Sequence, residues 1–266
     1  MNNTQIISVI NQKGGVGKTT TVINLATALS LKNKKVLVID LDPQGNATTG
    51  FGISNTENSR TVYDVLNGNC TFEESIMETK INNLKLVSSN VDLSGLEVET
   101  ASESRRAFLL KDKMEDFISS SKNDFSYVFI DCPPSLSLLT VMALVAARSL
   151  IVPLQAEFFA LEGLSQLIKT IDRIKIKLNT QLDIRGVLLT MFDKRNKLSS
   201  QVDSEARKFF ENKVYQTVIP RNVRLSEAPS HGTPVLIYDK SCSGSKSYLS
   251  FTEEFLKQEN IMESAA

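Results

Sequence analysis

The chain has no surplus of charge of either sign: thirty Lys and Arg residues face thirty Asp and Glu residues over 266 positions. A polyanionic partner is therefore not announced globally, and any nucleic-acid contact must come from a local patch. Cysteine is scarce. Cys70, Cys132 and Cys242 are widely spaced, with no pair at metal-ligand or redox spacing. That argues against a disulfide framework and fits a reducing cytosol. The single histidine, His231, leaves no basis for a histidine-ligated metal. No stretch approaches ~20 uninterrupted apolar residues, so no membrane span is expected. The polar start Met1-Asn2-Asn3-Thr4 leaves no room for a signal peptide before the first strand. No Gly/Ser-rich linker, repeat or low-complexity tract divides the chain. The expectation is a cytoplasmic protein with one domain over residues 1–255 and a frayed tail over 256–266.

What is present is organised around Asn11-Gln12-Lys13-Gly14-Gly15-Val16-Gly17-Lys18-Thr19-Thr20. Before it, Gln5 to Ile10 is a short apolar run that reads as a buried strand. After it, Val22, Leu25, Ala26 and Leu29 recur at helical spacing, so a helix begins near Lys18. Strand, glycine-rich turn and helix form the context of a phosphate-binding loop. The glycines let successive N–H groups point into one concavity, and the helix N-terminus adds about half a positive charge there. Lys18 is placed to reach the β- and γ-phosphates of ATP, and the Thr19 hydroxyl to complete a Mg²⁺ shell. The simpler alternative is an ordinary Gly-Gly turn beside a lysine.

Two further strands end in carboxylates. Lys35 to Asp40 runs into the turn Leu41-Asp42-Pro43-Gln44-Gly45-Asn46, and Tyr127 to Asp131 runs into Cys132-Pro133-Pro134. Ligands of open α/β sheets bind at the carboxyl ends of strands, which turns these acids toward the phosphate loop. Asp131 then reads as a Walker B carboxylate holding Mg²⁺ through water. Asp40 is a candidate for the same metal shell, and Asp42 for polarising the attacking water. Both could instead merely cap the turn before the next helix. Pro133-Pro134 stiffens a loop suited to sensing the γ-phosphate.

Downstream, Thr61 to Leu66 and Arg105 to Ile118 read as helices and Leu84 to Ser89 as a strand. Strands are expected at Leu150–Leu154, Gly186–Met191 and Tyr215–Ile219, with helices around Leu161–Ile171 and Ser200–Phe210. Strand and helix alternate throughout. The fold class is therefore α/β, a single-domain P-loop NTPase with a mostly parallel sheet covered by helices on both faces.

The phosphate loop lacks the usual glycine five positions before Gly17, where Gln12 stands, and carries a second lysine, Lys13. This deviant Walker A pattern resembles the ParA/MinD group of ATPases. The blocks Asp40–Thr48, Asp131–Pro134, Gln155–Leu164 and Ile219–Gly232 narrow the likeness to the small ParA/Soj chromosome-partitioning ATPases, from about residue 5 to 255. The resemblance implies an ATP-dependent sandwich homodimer that binds double-stranded DNA without sequence preference. It also implies slow ATP hydrolysis stimulated by a ParB/Spo0J-type centromere-binding protein, and nucleoid association in the ATP state. By position, it makes Lys13 a catalytic lysine that crosses the dimer interface, and makes residues 13–20 the nucleotide cradle. Pro220 and Asn222 fall beside the adenine, and Arg195, Arg221 and Arg224 become DNA contacts. Lys240-Ser241-Cys242 departs from the Pro-Arg-Ser common in relatives, so no role is carried over to that loop.

Charge alone offers a parallel clue, because Lys194, Arg195, Lys197, Arg207, Lys208 and Lys213 crowd one region, partly offset by Asp193, Asp203, Glu205 and Glu211. An ordinary solvated helix face reads equally well. Two rivals share the loop chemistry. A MinD-like membrane ATPase would use Phe251, Phe255 and Met262 as an apolar stripe, but Glu253, Glu254, Glu259 and Glu263 outnumber Lys257 and would be repelled by anionic lipid. An iron–sulfur carrier needs cysteines placed to share a cluster, and three scattered ones match poorly.

Overall fold

A computed structural model describes residues 4–56, 59–120, 124–157 and 160–265, without the side chains of residues 160–161 and 260–265. Phe158 and Phe159, and the side chains of Leu161, Met262 and Glu263, lie outside the described residues.

The first strand, β1 (Gln5–Val9), enters the glycine loop and α1 (Lys18–Leu31) leaves it. Then β2 (Val36–Asp40) delivers Asp40 to the same end of the molecule, followed by the short helices α2 (Asn46–Gly50), α3 (Val62–Leu66) and α4 (Phe72–Ser75). Thr61 and Thr71 start α3 and α4 with reciprocal capping boxes to Asp64 and Glu74, which satisfy backbone donors that such short helices leave open. A hairpin of β3 (Ile76–Glu78) and β4 (Leu84–Val87) precedes α5 (Leu96–Glu99) and α6 (Leu109–Ser119). Next come β5 (Tyr127–Asp131), α7 (Leu138–Ala146), β6 (Ser149–Gln155), α8 (Ala160–Lys177), β7 (Asp183–Thr190) and α9 (Lys197–Phe210). Short turns α10 (Val223–Glu227) and α11 (Val235–Tyr238) lead to the long α12 (Ser243–Ala265).

The sheet order is β3-β4-β2-β5-β1-β6-β7, parallel throughout except for the β3 edge. Alternation sorts the side chains onto two cores. Val36, Val38, Tyr127 and Phe129 face α1 and α12, while Leu37, Ile39, Val128 and Ile130 face the layer containing α6 and α7. Strands buried on both sides need apolar residues at nearly every position, as the runs VLVID and YVFID show. Each fully buried Leu, Ile or Phe contributes roughly 1.5–3 kcal/mol. Phe255 of α12 is fully buried against Tyr127 and Phe129, and Phe251 is fully buried against Tyr215, so these two members of the apolar stripe of the C-terminal segment are core.

One expected strand is corrected. Tyr215–Ile219 is not a strand of the sheet. It touches β7 through Tyr215 N–H to Val187 and Ile219 N–H to Leu189. Between these, the N–H groups of Gln216 and Thr217 donate to the Glu254 carboxylate on α12, at 2.6 and 2.9 Å. A side chain thirty-seven residues downstream of Thr217 replaces ladder hydrogen bonds there, a competition that local periodicity does not register. The edge strand β3 was not expected either, being only three residues long.

Candidate active site

Parallel register brings the functional side chains together. Asp131 pairs in register with Asp40 on one side and Val9 on the other, so the glycine loop and both acid-tipped strands end side by side. Gly15 and Gly17 adopt left-handed φ values of 74° and 89°, which a side chain would strain. The loop is tied down by the Thr190 hydroxyl, which donates to the Val16 carbonyl at 2.8 Å. Gly14, Gly15, Gly17, Lys18, Thr19 and Thr20 line a cavity of about 630 Å³ together with Asp42. That volume suits a nucleotide-sized ligand. Val16 faces the core instead, and Lys13, Asp40, Asp131, Pro220 and Asn222 stand outside the lining.

Asp40 is buried and fully occupied: the Thr48 N–H and hydroxyl donate to one oxygen at 2.8 and 2.7 Å, and the Asp42 N–H to the other at 3.2 Å. Burial pushes its carboxyl up to about 6, against those hydrogen bonds. These bonds let Asp40 hold Thr48 and α2 in place. Asp42 reaches the cavity, and its Oδ1 accepts the Gln44 N–H at 3.0 Å.

Asp131 is different. Both oxygens are buried with no partner of ordinary hydrogen-bond geometry. Burial, then the charge of Asp40, raises its carboxyl well above the usual range, with the Thr19 hydroxyl and Lys18 only partly offsetting them. An unpartnered buried carboxylate is costly unless something positive arrives. Among the described residues no three His, Cys, Asp or Glu side chains converge as a metal cluster. The hard oxygen donors of Thr19 and Asp131 therefore fit a Mg²⁺ that takes its remaining ligands from phosphate and water.

Both lysines are held by the chain itself. Lys18 Nζ donates to the Lys13 carbonyl at 3.0 Å, and burial lowers its pKa against the pull of Asp131. The Lys13 ammonium, half exposed at the rim, pairs with Glu157. Asn222 lies at the start of α10, its Nδ2 donating to Ser243 at 2.8 Å while Oδ1 is buried without a partner. Arg195, Arg221 and Arg224 are exposed beyond the cavity. Arg195 pairs with Asp193, and Arg224 with Glu227 and Asp239. Of the basic cluster, Arg207 is structural, bonding Asp203 and the Val214 and Tyr215 carbonyls, and Lys213 pairs with Asp183. Sequence reasoning assigned no site role to Met191, which lines the cavity with φ +50° just past β7. Its only signal is tertiary.

Residues 4–184 match the family described as an AAA domain. The chain is 49% identical over 265 residues to the chromosome partitioning protein ParA of Caulobacter vibrioides, covering 100% of this chain and 98% of that one. It belongs to the ParA/Soj family of chromosome-partitioning ATPases. The sporulation initiation inhibitor protein Soj of Bacillus subtilis is 48% identical over 250 residues, 94% of this chain and 97% of Soj. A crystal structure from Mycobacterium smegmatis, described as cobyrinic acid a,c-diamide synthase with bound ATP analog and magnesium, superposes with a TM-score of 0.84. It is 33% identical and covers 96% of this chain and 94% of that one. Family membership makes this chain a P-loop ATPase. No described helix is long and apolar enough to cross a membrane.

Proposed function

We propose that the chain is an ATP-driven dimeric switch for DNA partitioning, with residues 1–255 as its ATPase domain. The observation that carries this reading is the buried Asp131, without a partner of ordinary hydrogen-bond geometry, beside Thr19 and Lys18, which line the glycine cradle. ATP occupies the cavity, its phosphates against the N–H groups of residues 13–20 and the Lys18 ammonium. Thr19 and, through water, Asp131 would hold Mg²⁺, which would supply charge neutralisation at the phosphates. Asp40 fixes Thr48 and the Asp42 turn at the edge of that shell. Asp42 orients and polarises the attacking water, so catalysis is chiefly positioning and charge stabilisation. The orphan Oδ1 of Asn222, with Pro220 beside it, suits the amino group of adenine. The alternative of an iron–sulfur carrier loses further ground, since Cys132 is buried with its thiol pKa raised by that burial.

In this reading Lys13 crosses to the nucleotide of a second subunit, closing the dimer only when ATP is present. Arg195, Arg221 and Arg224 then contact phosphates of non-specific duplex DNA. They are exposed and lie outside the cavity, and dimerisation doubles their number on one particle. The carboxylate partners of Arg195 and Arg224 form surface pairs, which cost little to exchange for DNA phosphates. Hydrolysis, stimulated by a ParB-type protein, reopens the dimer and releases the nucleoid. A membrane role is disfavoured because Phe251 and Phe255 are already spent on the core.

The test is binding to non-specific duplex DNA with no nucleotide, ADP or ATP–Mg²⁺, across a salt series. Binding only with ATP, with log affinity falling by roughly 0.9 per phosphate contact per decade of salt, supports the switch. Asp42→Ala should persist as a DNA-bound dimer and Lys13→Ala should fail to dimerise. Absence of DNA binding in every nucleotide state overturns the proposal.

A further inference from the structure

Lys13 is fastened to its own subunit at three points. Its N–H donates to Asn11 Oδ1 at 3.0 Å, its carbonyl accepts Lys18 Nζ at 3.0 Å, and its ammonium pairs with Glu157. Two of these lead to β6. Asn11 Nδ2 donates to the Pro153 carbonyl at 2.8 Å within that strand, and Glu157 follows it by two residues. The ammonium therefore lies along the subunit's own surface, directed at the loop after β6 and away from anything beyond the rim.

We propose that Glu157 is a positioning residue that latches Lys13 in cis and restrains dimer closure until nucleotide binds. The inference rests on the reading that Lys13 acts across a dimer interface. Phosphate entering the cradle competes for the Lys18 ammonium and so frees the Lys13 carbonyl. The Asn11 bond still fixes the Lys13 backbone, and the Glu157 pair is the tie that holds its side chain down. The pair is half exposed, so its contribution is modest: enough to bias closure, too small to block it. Glu157 touches neither phosphate nor attacking water in this scheme. Its effect passes entirely through Lys13.

The experiment measures the dimer dissociation constant of the full chain with a non-hydrolysable ATP analogue and Mg²⁺, for wild type, Glu157→Gln, Glu157→Asp and Lys13→Gln. Each dimer releases two such pairs, so Glu157→Gln should dimerise about two- to thirtyfold more tightly at ~0.1 M salt, the ceiling for two pairs of this exposure. That gap should close at ~1 M salt, where the wild-type pair is itself screened. Glu157→Asp keeps the charge and should return toward wild type. Unchanged or weaker dimerisation of Glu157→Gln, with Lys13→Gln unable to dimerise, overturns the latch and leaves the switch standing. Normal dimerisation of Lys13→Gln overturns the trans role of Lys13 itself. A double-mutant cycle on unfolding of the nucleotide-free chain serves as a second check: additive effects of Lys13→Gln and Glu157→Gln also overturn the latch.

Discussion

At the amino ends of the strands, Asn179 donates to the carbonyls of Leu144, Val145 and Ala147 at 2.9, 3.1 and 2.7 Å. At the carboxyl ends, Asp131 is fully buried and its oxygens have no partner of ordinary hydrogen-bond geometry, with only the Thr19 hydroxyl near. One end of the sheet uses a polar side chain to stop α7 and seal the core. The other keeps a charge unsatisfied, at a cost that only a cation can relieve. The Thr4 hydroxyl, donating to Phe125 at 2.8 Å, belongs with the first pattern. The lowered pKa of Lys18 belongs with the second. The difference separates polar residues that hold the fold from polar residues that await a ligand.

Substitutions at the two ends should therefore separate function from stability. Lys18→Ala should give the largest effect, a fall in ATP hydrolysis of at least ~10²-fold with little change in unfolding, since it removes charge from the phosphate site. Urea unfolding that shows a large loss of stability would blur the contrast. Asn179→Ala should do the reverse. Losing three hydrogen bonds to buried carbonyls should destabilise by about 2 kcal/mol and leave nucleotide affinity unchanged. Reduced ATP binding in that variant would break the comparison.

Asp131→Asn sharpens it through sign. A carboxylate whose folded pKa is raised weakens the fold as pH climbs from its ordinary value near 3.8 toward and through the raised one. The amide cannot ionise, so the variant should be more stable than wild type without nucleotide, by about 1–2 kcal/mol near pH 7. The gain should shrink toward pH 4, while Mg²⁺-dependent hydrolysis is lost. A constant gain across that range, measured by urea titration, would mean that the charge of Asp131 is not the cause. The smallest effect is expected at Glu254→Gln. An amide accepts less well from the N–H groups of Gln216 and Thr217, which should cost about 1 kcal/mol or less and speed hydrogen exchange at those two amides first.

Much of the active site is local enough to read directly. Residues 14–20 and Asp42 lie on segments whose strand, turn or helix is encoded beside them, as does Asp131 at the end of its apolar run. The parallel sheet and the helices on both faces follow from alternating apolar runs of matching length. The segment 215–219 defeated the same reasoning because Glu254 takes its N–H groups. Met191 was silent, since nothing around it signals a left-handed residue facing a cavity. The basic cluster also came apart once Arg207 and Lys213 proved to have partners within the fold.

The amino-acid sequence by itself determined the phosphate cradle, the acid-tipped strands, the α/β class and the family, because each depends on residues near one another along the chain. Tertiary structure alone decided the states of the charges: Asp40 hydrogen-bonded at both oxygens, Asp131 buried with no partner of ordinary geometry, Lys13 held by Glu157. Those states depend on burial and on partners distant in sequence, and desolvation and hydrogen bonding act through space.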